Sequence, residues 1–121
     1  MIIYRSIKNK NVSSIQPREG EKLVLQEDCY EDHLKNGLLT LTNQRLFFEK
    51  TEGTLATLSK RTEELLLDIP LVEIKSSKAE GFLLKKVVVI TIQNDIYKFG
   101  VLNNSKWAKE IEKTKSTYNN L

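Results

Sequence analysis

The chain has 121 residues, 40% hydrophobic and 29% charged, with 19 Lys and Arg against 16 Asp and Glu for a net charge of +3. That length suits one domain of about 100–150 residues, and so small a positive excess does not mark a nucleic-acid surface. One cysteine and one histidine exclude an intrachain disulfide, a Cys-based zinc site and a His-rich metal site.

In chain order, residues 1–19 read as an N-terminal segment packing on or preceding the domain, with Ile2, Ile3 and Ile7 as anchors. Its apolar run is too short for a signal peptide. Leu23–Leu25 opens the first strand, with Asp28–Tyr30 continuing it or turning, and Tyr30–Asn36 is a polar loop. In Gly37–Phe48, Leu39 and Leu41 alternate with Thr40 and Thr42, the period of a half-buried strand. Asn43 and Gln44 supply a turn, and Arg45–Glu49 returns as the second arm of a hairpin. A long polar connection follows, in which Leu55 and Leu58 mark a short helical turn. Leu65–Ile69 and Leu71–Lys75 read as strands on either side of Pro70, which cannot donate to a ladder.

Ser76–Gly81 reads as a loop, and Leu83–Gln93 as the longest apolar strand, β-branched from Val87 to Ile92. Asn94–Asp95 turns it into Ile96–Val101. Asn103, Asn104 and Ser105 offer caps for a helix over Ser105–Tyr118. Its Trp107, Ile111, Thr114 and Tyr118 share one stripe, so one amphipathic helix must cover an open end of the sheet. Residues 119–121 are a tail. No apolar run reaches the roughly 20 residues that cross a bilayer.

Three segments carry a resemblance: GEKL at Gly20–Leu23, GLLTLTNQRLFF at Gly37–Phe48 and LDIPLVEI at Leu67–Ile74, with the final strand, Asn103–Asn104 and a helix with Trp107 near its start. Over residues 20–118 the chain resembles the GRAM and GLUE branches of the pleckstrin-homology-like superfold. The resemblance implies an α+β fold, a partly open seven-stranded antiparallel barrel or sandwich capped by one C-terminal helix. It implies a non-enzymatic module of GLUE type that recruits ubiquitin or a ubiquitin-like protein in an ESCRT-type sorting system, beside other subunits of the complex. Such a module is cytoplasmic and peripheral to membranes. The alternative is a generic GRAM or pleckstrin-like domain for lipid or protein-assembly contact without ubiquitin.

The residues point the same way on chemistry. Cys29 lies four residues from His33, but a Cys–His dyad needs a third orienting group, so a small Cys-dependent hydrolase is the remote alternative. Glu27, Asp28, Glu31 and Asp32 cluster without calcium-loop spacing. No phosphate loop is present, and no catalytic residue, metal or cofactor is expected. Lys75, Lys78, Lys85 and Lys86 stand against Glu80 alone, and such lysines suit an anionic ligand or lipid. A typical pleckstrin-type lipid site would lie at Tyr30–Asn36, which carries Glu31 and Asp32 with only Lys35. By family analogy the GLUE-type site falls near Lys75–Lys86. Along the following strand, alternation puts Val87, Val89 and Thr91 on one face. Exposed, that row together with Leu84 forms the expected contact for a protein partner.

Overall fold

A computed structural model describes the backbone of residues 15–52 and 60–119, with the side chains there apart from those of 52, 60–63 and 119. Seven antiparallel strands make one sheet: β1 (Leu23–Glu31), β2 (Lys35–Thr42), β3 (Arg45–Glu52), β4 (Lys60–Pro70), β5 (Ile74–Glu80), β6 (Lys86–Thr91) and β7 (Ile96–Gly100). Their order is β4-β3-β2-β1-β7-β6-β5, so β4 and β5 are open edges. A 3-10 turn, Leu71–Glu73, joins β4 to β5, and helix α1 (Asn104–Asn119) follows β7. The fold is therefore α+β with seven strands and one C-terminal helix. Only residues 15–19 of the expected N-terminal segment are described; the turn at Leu55–Leu58 and residues 120–121 lie outside the described residues.

Cross-strand pairs build the core. Leu39 faces Phe48 and Leu41 faces Leu46, and Phe48 and Leu46 in turn face Leu67 and Ile69 on β4. On the other half of the sheet, Val87 faces Phe99 and Val89 faces Tyr97. Phe48 and Phe99 meet across the core with ring centroids 5.7 Å apart. Trp107 and Ile111 of α1 complete the cluster. Gly37 is required by this packing, because a Cβ there would run into the Phe48 ring.

Several strand limits differ from the sequence reading. The half-buried reading of β2 fails for Thr40 and Thr42, which are buried as fully as Leu39 and Leu41. Asp28–Glu31 and Lys35–Asn36 extend the β1–β2 hairpin, leaving only a short turn between them. Ser76–Glu80, expected as a loop, is most of β5. The alternation signal is missing there because the core-facing place is taken by Ser77, which is satisfied by hydrogen bonds. Its N–H donates to the Glu112 carboxylate at 2.8 Å and its hydroxyl to the Ala108 carbonyl at 3.0 Å. Leu83 and Leu84, expected in a strand, precede β6.

The helix starts one residue earlier than predicted, capped by Asn103, whose Oδ1 accepts the Lys106 N–H at 3.1 Å. Trp107 is buried, and its Nε1–H donates to Glu27 on β1 at 2.9 Å. Trp107→Ala should cost about 3–5 kcal/mol, the usual loss for a buried large aromatic, read as a lowered urea midpoint.

At the opposite end of β1, a charged cluster is sealed into the fold. Glu21 and Arg45 are both buried, with Arg45 Nε donating to Glu21 Oε2 at 2.7 Å and Nη1 to Asp68 at 3.0 Å. Thr42 Oγ1 and the Arg18 N–H also donate to the Glu21 carboxylate. Burial by itself would raise the Glu21 pKa; the Arg45, Arg18 and Thr42 hydrogen bonds and the Arg45 charge outweigh it and hold the carboxyl below its ordinary 4.5. A depressed folded-state pKa stabilises the fold above the unfolded value and loses that contribution as pH falls through the folded one. Stability should therefore drop as pH falls below 4.5, and Glu21→Gln should flatten that dependence in thermal melts across the acid range.

Candidate functional site

The β5–β6 connection is a tight reversal built around Gly81. Its φ of +92° is in the region that favours glycine, and a Cβ there would overlap the Leu84 carbonyl. Glu80 and Lys86 form the last ladder pair below the turn. Asn104, buried at the start of α1, spans both legs: its Nδ2 donates to the Glu80 carbonyl at 3.0 Å and the Lys86 carbonyl at 3.1 Å. The Val101 N–H donates to the Lys85 carbonyl at 3.2 Å.

This backbone holds three bulky apolar side chains out into solvent. Phe82 is 88% exposed, Leu83 87% and Leu84 78%, and Leu102, after β7, is 84% exposed. Between Leu83, Leu84, Leu102 and Tyr30 runs a groove of about 560 Å³, floored by Gly100 and Val101 and edged by Asp32, Lys85 and Lys86. Leu102 is positioned by its N–H, which donates at 2.6 Å to the same Glu27 carboxylate that binds Trp107. The Lys35 ammonium sits 5.9 Å from the Tyr30 ring centroid at the groove's outer side.

The predicted lysines do not form one cluster. Lys85 and Lys86 border the groove. Lys78 shares the outer sheet face with Lys86 and Lys98, since Lys78 and Lys98 both face Val88. Lys98 pairs with Glu80 at 3.1 Å, and Lys86 lies 3.9 Å from Asp32. Lys75 is at the far end of β5, where its Nζ donates to Asn94 Oδ1 at 3.4 Å. At about 3.3 Å per residue, the length of β5 separates it from the turn.

The expected protein-contact row is not at the surface. Val87 and Val89 are 0% exposed and Thr91 is buried with them, because this face of β6 lies under α1. Leu84 alone of that set is exposed. The sequence reading missed Phe82, Leu83 and Leu102. The available signal was Gly81 followed by three bulky apolar residues and then Lys85-Lys86, a run that breaks strand alternation.

The remaining candidates have structural roles. Cys29 is buried, and burial, reinforced by Glu27, Asp28 and Glu31, pushes its thiol far up, against the thiolate a nucleophile needs. Glu31 accepts the N–H groups of His33 and Leu34 at 2.8 and 2.9 Å, closing the β1–β2 turn. The His33 ring is exposed, 3.8 Å from Glu31. Among the described residues, no group of three or more His, Cys, Asp or Glu is placed to hold a metal ion, and no helix is long and apolar enough to cross a membrane. Comparison with protein-family models and with curated proteins finds no match.

Because Asn104 holds both legs of the turn, Asn104→Ala removes two part-buried hydrogen bonds and should cost about 1–3 kcal/mol, at roughly 0.5–1.5 kcal/mol each. Amide hydrogen exchange at residues 82–86 should accelerate more than in the β2–β3 core.

Proposed function

We propose that the chain is a non-catalytic binding module of the pleckstrin-homology-like superfold, GRAM/GLUE type, that docks by the end of its sheet bearing the β5–β6 turn. The observation that carries this reading is the presentation of Phe82, Leu83, Leu84 and Leu102 to solvent on backbone pinned by Gly81, Asn104 and Glu27. Large apolar groups contribute nothing to the core from such positions, and contiguous exposed apolar surface marks an interaction site. Seven antiparallel strands in this order with one C-terminal helix support the superfold assignment. The buried Cys29 thiol speaks against the hydrolase alternative.

Ubiquitin or a ubiquitin-like protein, the partner that the resemblance implies, would have to meet Leu84 and its neighbours on the turn and not the Val87–Thr91 row. The reading is tested with the isotope-labelled chain, titrated separately with ubiquitin and with anionic vesicles. At least one is expected to perturb amide signals of residues 82–86 and 102. Signals unmoved by both, or moved only elsewhere, would remove this surface as the docking end.

A further inference from the structure

We infer that the β5–β6 turn is a membrane anchor whose occupant is an anionic bilayer, bound by charge density and apolar insertion and not by the structure of a headgroup; this rests on the docking-end reading above. Three observations lead there.

The first is shape. Phe82, Leu83 and Leu84 are consecutive at the tip of a reversal and nearly free of the protein surface. A row of projecting apolar tips suits a medium that yields around them, as the boundary of headgroups and acyl chains does. Only side chains need enter it, so the turn's peptide groups stay in the hydrated layer, as the backbone must.

The second is the order of side chains along the turn. Lys85 and Lys86 follow the apolar tip directly, with Lys78 and Lys98 on the adjoining outer face. Against Glu80 and Asp32 these four leave a net charge of +2 beside the tip. Lysine stems lie along apolar surface while the ammonium stays in water. The tip can therefore sit below the lipid phosphates with the lysines level with them.

The third is that the lysines do not converge. Lys86 lies by Asp32 and Lys98 by Glu80, on different strands, and Lys75 is at the other end of β5. Among the described residues these lysines are not gathered to grip one headgroup, so binding follows surface charge.

The test uses the intact chain and vesicles of phosphatidylcholine with about 30% phosphatidylserine. Sedimentation should show binding that falls about tenfold on pure phosphatidylcholine and weakens steadily with salt. A phosphoinositide at matched total charge should bind no better than phosphatidylserine. Leu83→Asp should reduce binding about tenfold or more with an unchanged melting temperature, since Leu83 makes no core contact. In Phe82→Trp, the new indole should shift to the blue on binding and be quenched by brominated acyl chains; Trp107, already buried, supplies a constant background. Undiminished binding by Leu83→Asp, or an unquenched tryptophan in vesicle-bound Phe82→Trp, would overturn insertion. A marked phosphoinositide preference would overturn the headgroup-independent mode. No vesicle binding at low salt overturns the bilayer as occupant. If ubiquitin then shifts residues 82–86, the docking-end reading stands alone; if neither binds, both fail.

Discussion

The two halves of this sheet are joined across β1 and β7 by only two paired positions, Tyr30 with Gly100 and Glu31 with Phe99. So short a ladder cannot by itself fix how the β5–β7 half sits on the β1–β4 half. The Phe48–Phe99 contact in the core adds to it, and the Glu27 carboxylate supplies a polar constraint. One oxygen accepts the Trp107 indole and the other the Leu102 N–H, tying β1 to residues 75 and 80 positions later in the chain. With Trp107 held there, α1 covers the core face of β5 and β6. With Leu102 held there, the far wall of the groove is set. One side chain thus links the helix over the core to the apolar end of the sheet.

The edges of an open sheet need their own protection, because unpaired strand groups are templates for other chains. At β5 the helix provides it. Glu112 takes the Ser77 N–H, and Lys115 Nζ donates to the Lys75 carbonyl at 2.9 Å. This matters more here than in an ordinary sheet. The same strand leads into the Phe82–Leu84 turn, and a free edge beside an apolar tip would favour self-association. The Glu21–Arg45–Asp68 cluster has a different role at the other end of β1. Replacing a buried ion pair by apolar groups is often neutral, whereas removing one partner is costly. Its two or more bonds per group lock Ile15–Gly20 onto the β2–β3 turn and set the start of β1.

How much of this could be read from sequence depended on whether side-chain chemistry and backbone geometry agreed. The helix was legible because cap residues and the Trp107–Ile111 spacing point to one answer. The β2–β3 hairpin was legible because Asn43–Gln44 divides two apolar arms. β5 was not, because the residue it turns to the helix is Ser77, held by hydrogen bonds that no hydropathy pattern reveals. The burial of Glu21 and Arg45 was not legible either, since each finds its main partner more than twenty residues away in the chain. The site was half legible. Lys85, Lys86 and Leu84 stood out, but two apolar runs split only by Lys85-Lys86 hide the boundary between the turn that starts at Gly81, with its positive φ, and the strand that starts at Lys86. Residues before that boundary's end face solvent; Val87 and Val89 beyond it face the core.

That boundary separates two uses of the same kind of side chain. Burial of a Leu or Phe side chain contributes about 1.5–3 kcal/mol, and a lysine near an anionic surface about 1 kcal/mol. The apolar tip is therefore the stronger holder once contact is made, while the lysines act from about a Debye length, near 8 Å, before contact. In the proposed docking mode, charge would bring the end of the sheet to a surface, and Phe82, Leu83 and Leu84 would retain it there. Ordering loops and side chains normally subtracts from binding. Here the turn is already fixed by Gly81 and by Asn104 across its two legs, so little backbone order remains to be lost. In the free chain these side chains make no core contact, which leaves docking strength and fold stability adjustable at different residues: the turn for one, and Trp107, Val87 and Val89 for the other.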